Sequence, residues 1–447
     1  MARQTLSHPS QALDARPTRG QARSGSALRA HVRIPLYREG YALIMNSALT
    51  SLFGVAYWLL AARHYSPDTV GLNSAVISAL MFLSGISQLN LMSALMRFIP
   101  VSGRKTTRLV ISSYLLSVGV ATVAAVIFLL GVPLWTPALS FLSSSLPLAI
   151  WFVAGTMAWC VFALQDSILT GLRAAWFVPV ENLVYSVLKI ALLVALVGVS
   201  PHYGIFASWT AGLTVSLVGV NLLIFRRLLP RHLRKDHRAL RPPTRRQLRR
   251  FVSAESVGEL FWLGATMLMP VIVVALASPT ETAYFALAWM IVTPLYALSA
   301  NTGASLVVTG SGDQNQLPHY ARKVLIQTAA MAIPLALCFV ATAPILLRAF
   351  GGEYAAHSTT TLRLLALSAI PHMVNALYMS VYRVRLKMSA VVAILGALCS
   401  LVLVLGTVLL QVIGIAGIGI AWLVSELVVV AVLVAVDPRA LWPLRGR

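Results

Sequence analysis

The chain has 447 residues; 58% are hydrophobic and only 11% are charged, yet 35 Lys and Arg against 13 Asp and Glu give a formal net charge of +22. Soluble globular domains carry about 25% charged residues, and a nucleic-acid binder or basic disordered chain would be rich in charge and poor in Leu, Val, Ile and Ala. Both classes are excluded, which leaves a polytopic membrane protein with its few charges in loops.

The first segment, 1–39, is polar and carries Arg3, Arg16, Arg19, Arg23, Arg29, Arg33 and Arg38. No apolar core of signal-peptide length precedes Tyr41, so the segment reads as a disordered basic tail rather than a cleavable leader. Apolar stretches then recur at 40–63, 70–96, 108–131, 146–170, 176–199, 203–225, 254–277, 283–308, 324–348, 358–381, 388–410 and 413–436. Each is near the ~20 residues a helix needs to cross ~30 Å of hydrocarbon. None alternates with period two, so an all-α bundle of about twelve transmembrane helices is expected and a β-barrel is not.

Charge tests that count. With the N-terminus inside and strict alternation, 31 of the 35 basic residues fall on the cytoplasmic side; Arg63, Lys189, Arg348 and Arg363 remain. So strong a positive-inside bias predicts cytoplasmic termini, and Arg outnumbering Lys 30 to 5 fits a GC-rich bacterial genome and a bacterial inner membrane. The longest polar interruption, RRLLPRHLRKDHRALRPPTRRQLRRF, follows the sixth span. The predicted organisation is therefore a basic tail 1–39, an N-lobe 40–225, a basic linker 226–253, a C-lobe 254–436 and a tail 437–447. Two six-helix lobes related by an axis along the membrane normal are a common transporter plan. Ser66-Pro67-Asp68-Thr69 after span 1 is echoed by Ser278-Pro279-Thr280-Glu281 after span 7. The linker either attracts anionic lipid headgroups, at about 1 kcal/mol per Lys or Arg, or simply holds its loop inside; Pro242-Pro243 argues against one continuous helix through it.

Enzyme motifs are absent: there is no GxxxxGK[ST], no HExxH and no GxSxG. No stretch outside the spans is long enough for a soluble active site, so the chain reads as a non-enzyme. Cys160, Cys338 and Cys399 lie in apolar runs and make neither a disulfide framework nor a metal motif. Pro270, Pro294, Pro334 and Pro371 lie within spans 7 to 10, where kinks are expected. The informative residues are ionisable groups at membrane depth, each costing at least ~2.5 kcal/mol on insertion scales. These are Asp166, Glu181, Lys189, Glu255, Glu259, Arg363 and Glu426, with Arg97 ending span 2. Helical spacing groups several into stripes that face protein or water: Asn182, Ser186 and Lys189; Glu255, Glu259, Trp262 and Thr266; Asn73, Ser84 and Gln88; Asn90 and Arg97. Lys189 either pairs with Glu181 or Asp166 as a structural cation or holds an anionic headgroup. Arg63 and Arg348, near outer span ends, read as interfacial anchors, and Arg363 can snorkel from the outer end of its span. Glu255 and Glu259 are either solvated carboxylates or ion-coupling groups, and Asp166 either caps its helix or lines the cavity.

Span 2 closes on SQLNLMSALMRFIP, and spans 4 and 5 contain LQDSILTGLRAAWFVPVENLVYSVLKIALLVAL. With SPDTVGLNSAV entering span 2 and SPTETAYFALAWMIV entering span 8, the sequence resembles bacterial polysaccharide-biosynthesis flippases of the multidrug/oligosaccharidyl-lipid/polysaccharide (MOP) exporter superfamily. The resemblance covers nearly everything after residue 35. It implies two six-helix lobes in a V around a central cavity, and a polyprenyl-diphosphate-linked saccharide moved to the outer leaflet by alternating access. It implies cations for the diphosphate, for which Arg97 and Lys189 are the matching positions and Arg63 and Arg363 an extrapolation. Asp166, Glu181, Asn182, Glu255, Glu259, Asn73 and Gln88 would line the cavity or couple an ion. No cofactor or nucleic acid is implied; a proton or sodium ion is the only co-substrate left open. Partners would be the lipid-linked saccharide, membrane lipids, and a glycosyltransferase or polymerase of polysaccharide assembly.

Other readings stay open. A multidrug or cation antiporter of the same fold would favour the acidic residues. A major-facilitator transporter would carry GxxxDRxGRR between spans 2 and 3, where this chain reads PVSGRKTTRL. A non-transporting membrane scaffold would lack a polar cavity.

Overall fold

The computed structural model describes residues 35–234, 245–310 and 316–438. The tail before residue 35, Pro242-Pro243 and the last nine residues lie outside them. Among the described residues, twelve helices are long and apolar enough to cross a membrane. In the N-lobe they are α1 (Pro35–His64), α2 (Pro67–Ser87), α3 (Thr106–Trp135), α4 (Leu146–Gly171), α5 (Phe177–Leu196) and α6 (Gly204–Leu223). In the C-lobe they are α7 (Arg245–Leu276), α8 (Pro279–Gly310), α9 (Leu317–Arg348), α10 (Gly352–Val384), α11 (Met388–Ile413) and α12 (Ile415–Val436). The helices run through Pro270, Pro294, Pro334 and Pro371 without a break.

Two boundaries differ from the sequence reading for identifiable reasons. Span 2 was expected to reach residue 96, but α2 stops at Ser87, because Leu89 (φ 48°) and Asn90 (φ 55°) take left-handed backbone. That conformation cannot continue a right-handed helix. A separate short helix, Leu91–Phe98, follows and carries Arg97. Asn90 and Arg97 therefore do not share a stripe on one helix. Much of the expected linker is helical as well. α6 continues through a wider turn at Ile224–Leu228 into Leu229–Arg234, and α7 begins at Arg245.

The Ser-Pro echo is structural. Ser66 caps α2 by accepting from the Thr69 N–H at 3.3 Å, and Ser278 caps α8 by accepting from the Glu281 N–H at 3.1 Å. Proline at the first helical position loses no hydrogen bond there. Packing repeats too. In the N-lobe α1 lies on α5, α5 on α6, α2 on both α3 and α4, α3 on α4, and α4 on α6. Adding six to every number gives the contacts of the C-lobe: α7 on α11, α11 on α12, α8 on both α9 and α10, α9 on α10, and α10 on α12. The lobes meet mainly through α2, which packs against α7 and α8.

Leucines and valines such as Leu115, Leu130, Leu134, Val412 and Val432 point outward from the bundle, as side chains facing hydrocarbon do. The interior instead holds large aromatics, among them Tyr57, Phe152, Phe285, Tyr378 and Trp422, all under 2% exposed.

Candidate functional site

One end of the bundle carries Arg104, Lys105, Arg226, Arg227, Arg383, Arg385 and Lys387; it is called the basic end below. At the opposite, far end the lobes are closed on each other. Gly71 of α2 lies so close to the Pro279 carbonyl of α8 that a Cβ there would collide with it. Thr280 donates to the Asp68 carboxylate. Arg63, ending α1, donates through Nε to the Ala349 carbonyl at 2.7 Å, and Nη2 lies 3.4 Å from the Arg348 carbonyl. Asn73 is fully engaged nearby. It donates to the Thr69 and His202 carbonyls at 2.8 and 2.9 Å and accepts from the Phe206 N–H at 2.9 Å, pinning α2 to the start of α6.

The lobes part toward the basic end. A cavity of about 490 Å³ lies between α2, the Leu91–Phe98 helix, α4 and α7, and its walls include Gln88, Asn90, Trp159 and Glu259. A second, of about 380 Å³, is built by α7, α8, α10 and α11 and shares Glu259; it is lined by Trp262, Tyr296, His372 and Arg383, among others. Aromatic faces and a few polar groups over apolar walls are the usual make-up of a ligand site.

The second cavity backs onto a buried polar network. His372 Nδ1 is 2.8 Å from Oε1 of Glu426, a carboxylate with no exposed surface. Asn375 donates to Oε2 of Glu426 at 2.6 Å and to its carbonyl at 3.0 Å. The His372 ring stacks on Trp262 (centroids 5.4 Å, 29°) and lies 4.5 Å from Tyr296, whose hydroxyl is 2.7 Å from Ser368 Oγ. Sequence reasoning listed Glu426 among the buried ionisable groups but missed His372 and Arg383. Arg383 looked like a loop charge; α10 extends to Val384 and brings it onto the cavity wall, with Nε buried and without a hydrogen-bond partner.

Lys189 is elsewhere. It is 6% exposed and lies over three rings, with Nζ 4.3 Å from the centroid of Trp209, 4.8 Å from Tyr185 and 4.9 Å from Tyr57. It forms no ion pair with Glu181 or Asp166, unlike the His372–Glu426 and Arg385–Asp437 pairs. Glu181 is two helical turns away, about 12 Å along the axis. Both Glu181 oxygens and Asp166 Oδ1 are buried without a hydrogen-bond partner, and Asn182 donates to the Val178 carbonyl at 3.1 Å. Arg363 is exposed and donates to the Val340 carbonyl at 3.0 Å, joining α10 to α9. Arg97 lies 5.9 Å over the Phe98 ring. The side chain of Glu255 is outside the described residues. The structure thus brings Gln88 and Glu259 into the cavities, while Arg63, Arg363, Lys189 and Asn73 hold helices together. Among the described residues no three His, Cys, Asp or Glu side chains cluster as a metal site requires.

No protein-family model matches the sequence, and no curated relative matches it. Solved structures do. The lipid II flippase MurJ in an inward closed conformation aligns with a TM-score of 0.67 at 12% identity, over 87% of this chain and 86% of that one. An inward-facing multidrug resistance MATE family transporter of the MOP superfamily gives 0.62 at 14%, over 87% and 96%. An outward-facing multidrug resistance MATE family transporter of the same superfamily gives 0.59 at 15%, over 96% and 100%. Among the described residues, twelve apolar helices in two packing-equivalent lobes, closed at one end and open between them at the other, give this chain the fold of these solved structures.

Proposed function

We propose that the protein is a flippase that carries a polyprenyl-diphosphate-linked saccharide, or a related anionic envelope precursor, from the inner to the outer leaflet by alternating access. The observation that carries this reading is the cavity at the basic end, where Arg383 and His372 stand beside Trp262 and Tyr296. A guanidinium suits a phosphate oxygen pair, and aromatic faces suit sugar rings. The cargo needs such a path, because a diphosphate meets a prohibitive cost in ~30 Å of hydrocarbon. The positive-inside bias supports a cytoplasmic basic end, from which this conformation would receive cargo from the inner leaflet. Closure by Arg63, Asp68, Gly71 and Thr280 supports the same direction. A glycosyltransferase or polymerase would then act before or after the transfer.

A second reading rests on Glu259, the carboxylate shared by both cavities: extrusion of organic cations, with a proton or sodium ion as counter-substrate. Vesicles containing the purified protein separate the two. Transbilayer movement of a fluorescent polyprenyl-diphosphate saccharide, slowed by Arg383→Gln, is the expected result. Movement of a cationic dye with no movement of the lipid-linked saccharide would refute the flippase.

A further inference from the structure

We propose that His372, held by Glu426, is a proton-operated anion contact in the cavity wall: one proton taken up or released by the pair sets how tightly a diphosphate headgroup is held. This rests on the flippase reading and adds to it a regulation of the same site.

The geometry fixes the imidazole from one side. Glu426 sits on α12 with no exposed surface, and Asn375 holds its second oxygen at 2.6 Å. The first oxygen, 2.8 Å from His372 Nδ1, thereby sets both the tautomer and the ring plane. His372 also lines the cavity, stacked on Trp262 and tilted at 47° to the Tyr296 ring, 4.5 Å away. An imidazolium there has two aromatic neighbours that favour a cation and a carboxylate that balances its charge. Neutral, the ring has one N–H, on Nδ1, committed to Glu426. Protonated from cavity water, it gains a second N–H at Nε2, and that donor together with the new positive charge can hold a phosphate oxygen. When the cargo leaves, the same proton returns to water, and no other reactant is consumed.

The charged and titratable groups around the pair come from each neighbouring helix. α7 brings Glu259 and α8 brings Tyr296, both on the cavity wall, and α12 brings Glu426. α10 itself brings Arg383 to the same wall and Arg363 to the α9 side. α9 has His319, Tyr320, Arg322 and Lys323 toward the basic end and Arg348 at the far end, and α11 has only Cys399. Arg383 is a fixed charge in this cavity, whereas the imidazole of His372 can gain and lose a proton.

The test uses the purified full-length protein and a farnesyl-diphosphate-linked N-acetylglucosamine. Its diphosphate is a diester, so its charge is constant across the range studied. The dissociation constant is measured between about pH 5.5 and 8. For the unaltered protein affinity is expected to fall about tenfold or more as pH rises, as expected for losing one charge beside an anion at intermediate dielectric. His372→Gln gives weak binding with a flat profile. Glu426→Gln moves the midpoint of the profile, which a merely structural carboxylate would not do. Arg383→Gln weakens binding at every pH and keeps the slope. A flat profile for the unaltered protein, or a sloping one for His372→Gln, overturns the proposal. Where His372→Gln fails to fold, an unmoved midpoint in Glu426→Gln overturns it. Absence of binding at every pH sinks the flippase reading, and the proposal with it; tight binding independent of pH sinks the proposal alone.

Discussion

Lys189 is the most testable point in the N-lobe, because its surroundings make opposite predictions for its two halves. Its ammonium lies 4.3, 4.8 and 4.9 Å from the centroids of Trp209, Tyr185 and Tyr57. A desolvated cation–π contact contributes about 2 kcal/mol, so three give roughly 4–6 kcal/mol. Removing an ammonium from water costs several kcal/mol even after relaxation. The two nearly cancel. Lys189→Met keeps the length and apolar stem, and is expected to change stability by less than about 1 kcal/mol. Trp209→Leu is different. It empties space in the core, at about 3–5 kcal/mol, and it strips the nearest ring from a charge that stays buried. In the Lys189→Met background the same change should cost about 2 kcal/mol less, because no charge is then exposed to the loss. The measurement is a double-mutant cycle by denaturant unfolding in bicelles, checked by thermal melting in detergent. Strict additivity of the two substitutions would refute the cage, as would a Lys189→Met variant as unstable as Trp209→Leu.

Other outcomes follow from the same geometry. Gly71→Val places a side chain against the Pro279 carbonyl and should spread the far end of α2 and α8; cysteines introduced there should label faster with a membrane-impermeant thiol reagent. Arg63→Ala combined with Asp68→Ala should have the same effect by removing the Ala349 and Thr280 contacts, with stability lowered by no more than about 1–2 kcal/mol for bonds of this exposure. Asn73→Leu leaves the Phe206 N–H and the His202 carbonyl without their partner, and a loss of about 2–4 kcal/mol in unfolding free energy is expected. Glu181→Gln should hold or raise the unfolding free energy, since neither buried oxygen of Glu181 has a hydrogen bond to lose; a fall of more than about 2 kcal/mol would show an unseen partner.

The fold was legible because membrane thickness and charge bias act on long stretches of chain. Twelve runs of suitable length and one polar interruption after the sixth suffice for two six-helix lobes. The misread boundaries depend on single residues. Nothing in the LNL sequence at 89–91 announces left-handed backbone at Leu89 and Asn90, which turns Arg97 onto its own helix. The site was legible only where polarity stands out against an apolar helix, as with Glu259 and Gln88. Lys189 stood out equally, but its role depends on rings from α1, α5 and α6 that only folding assembles. His372 was missed because a lone His in a helix gives no pattern, and its partner is 54 residues away. Arg383 was missed because a basic residue near a helix end reads as loop charge.

The two lobes share a plan yet differ where chemistry matters. Trp209 in α6 and Trp422 in α12 occupy the same place in the repeat, each five residues after the glycine of a Gly-Ile pair, Gly204-Ile205 and Gly417-Ile418. Each ring belongs to an aromatic cluster around one buried ionisable centre. In the N-lobe that centre is Lys189, enclosed by Tyr57, Tyr185 and Trp209. In the C-lobe it is His372–Glu426, with Trp422 reached through Trp262 and Tyr296, and this centre opens on the cavity. The lysine ties α1, α5 and α6 together through these rings. In the proposed switch, the histidine on the cavity wall is the group that meets water, protons and anions. It follows that substitutions around Lys189 should act on stability, whereas those around His372 should act on the pH dependence of cargo binding. On the flippase reading, the C-lobe is where the handling of cargo is to be tested.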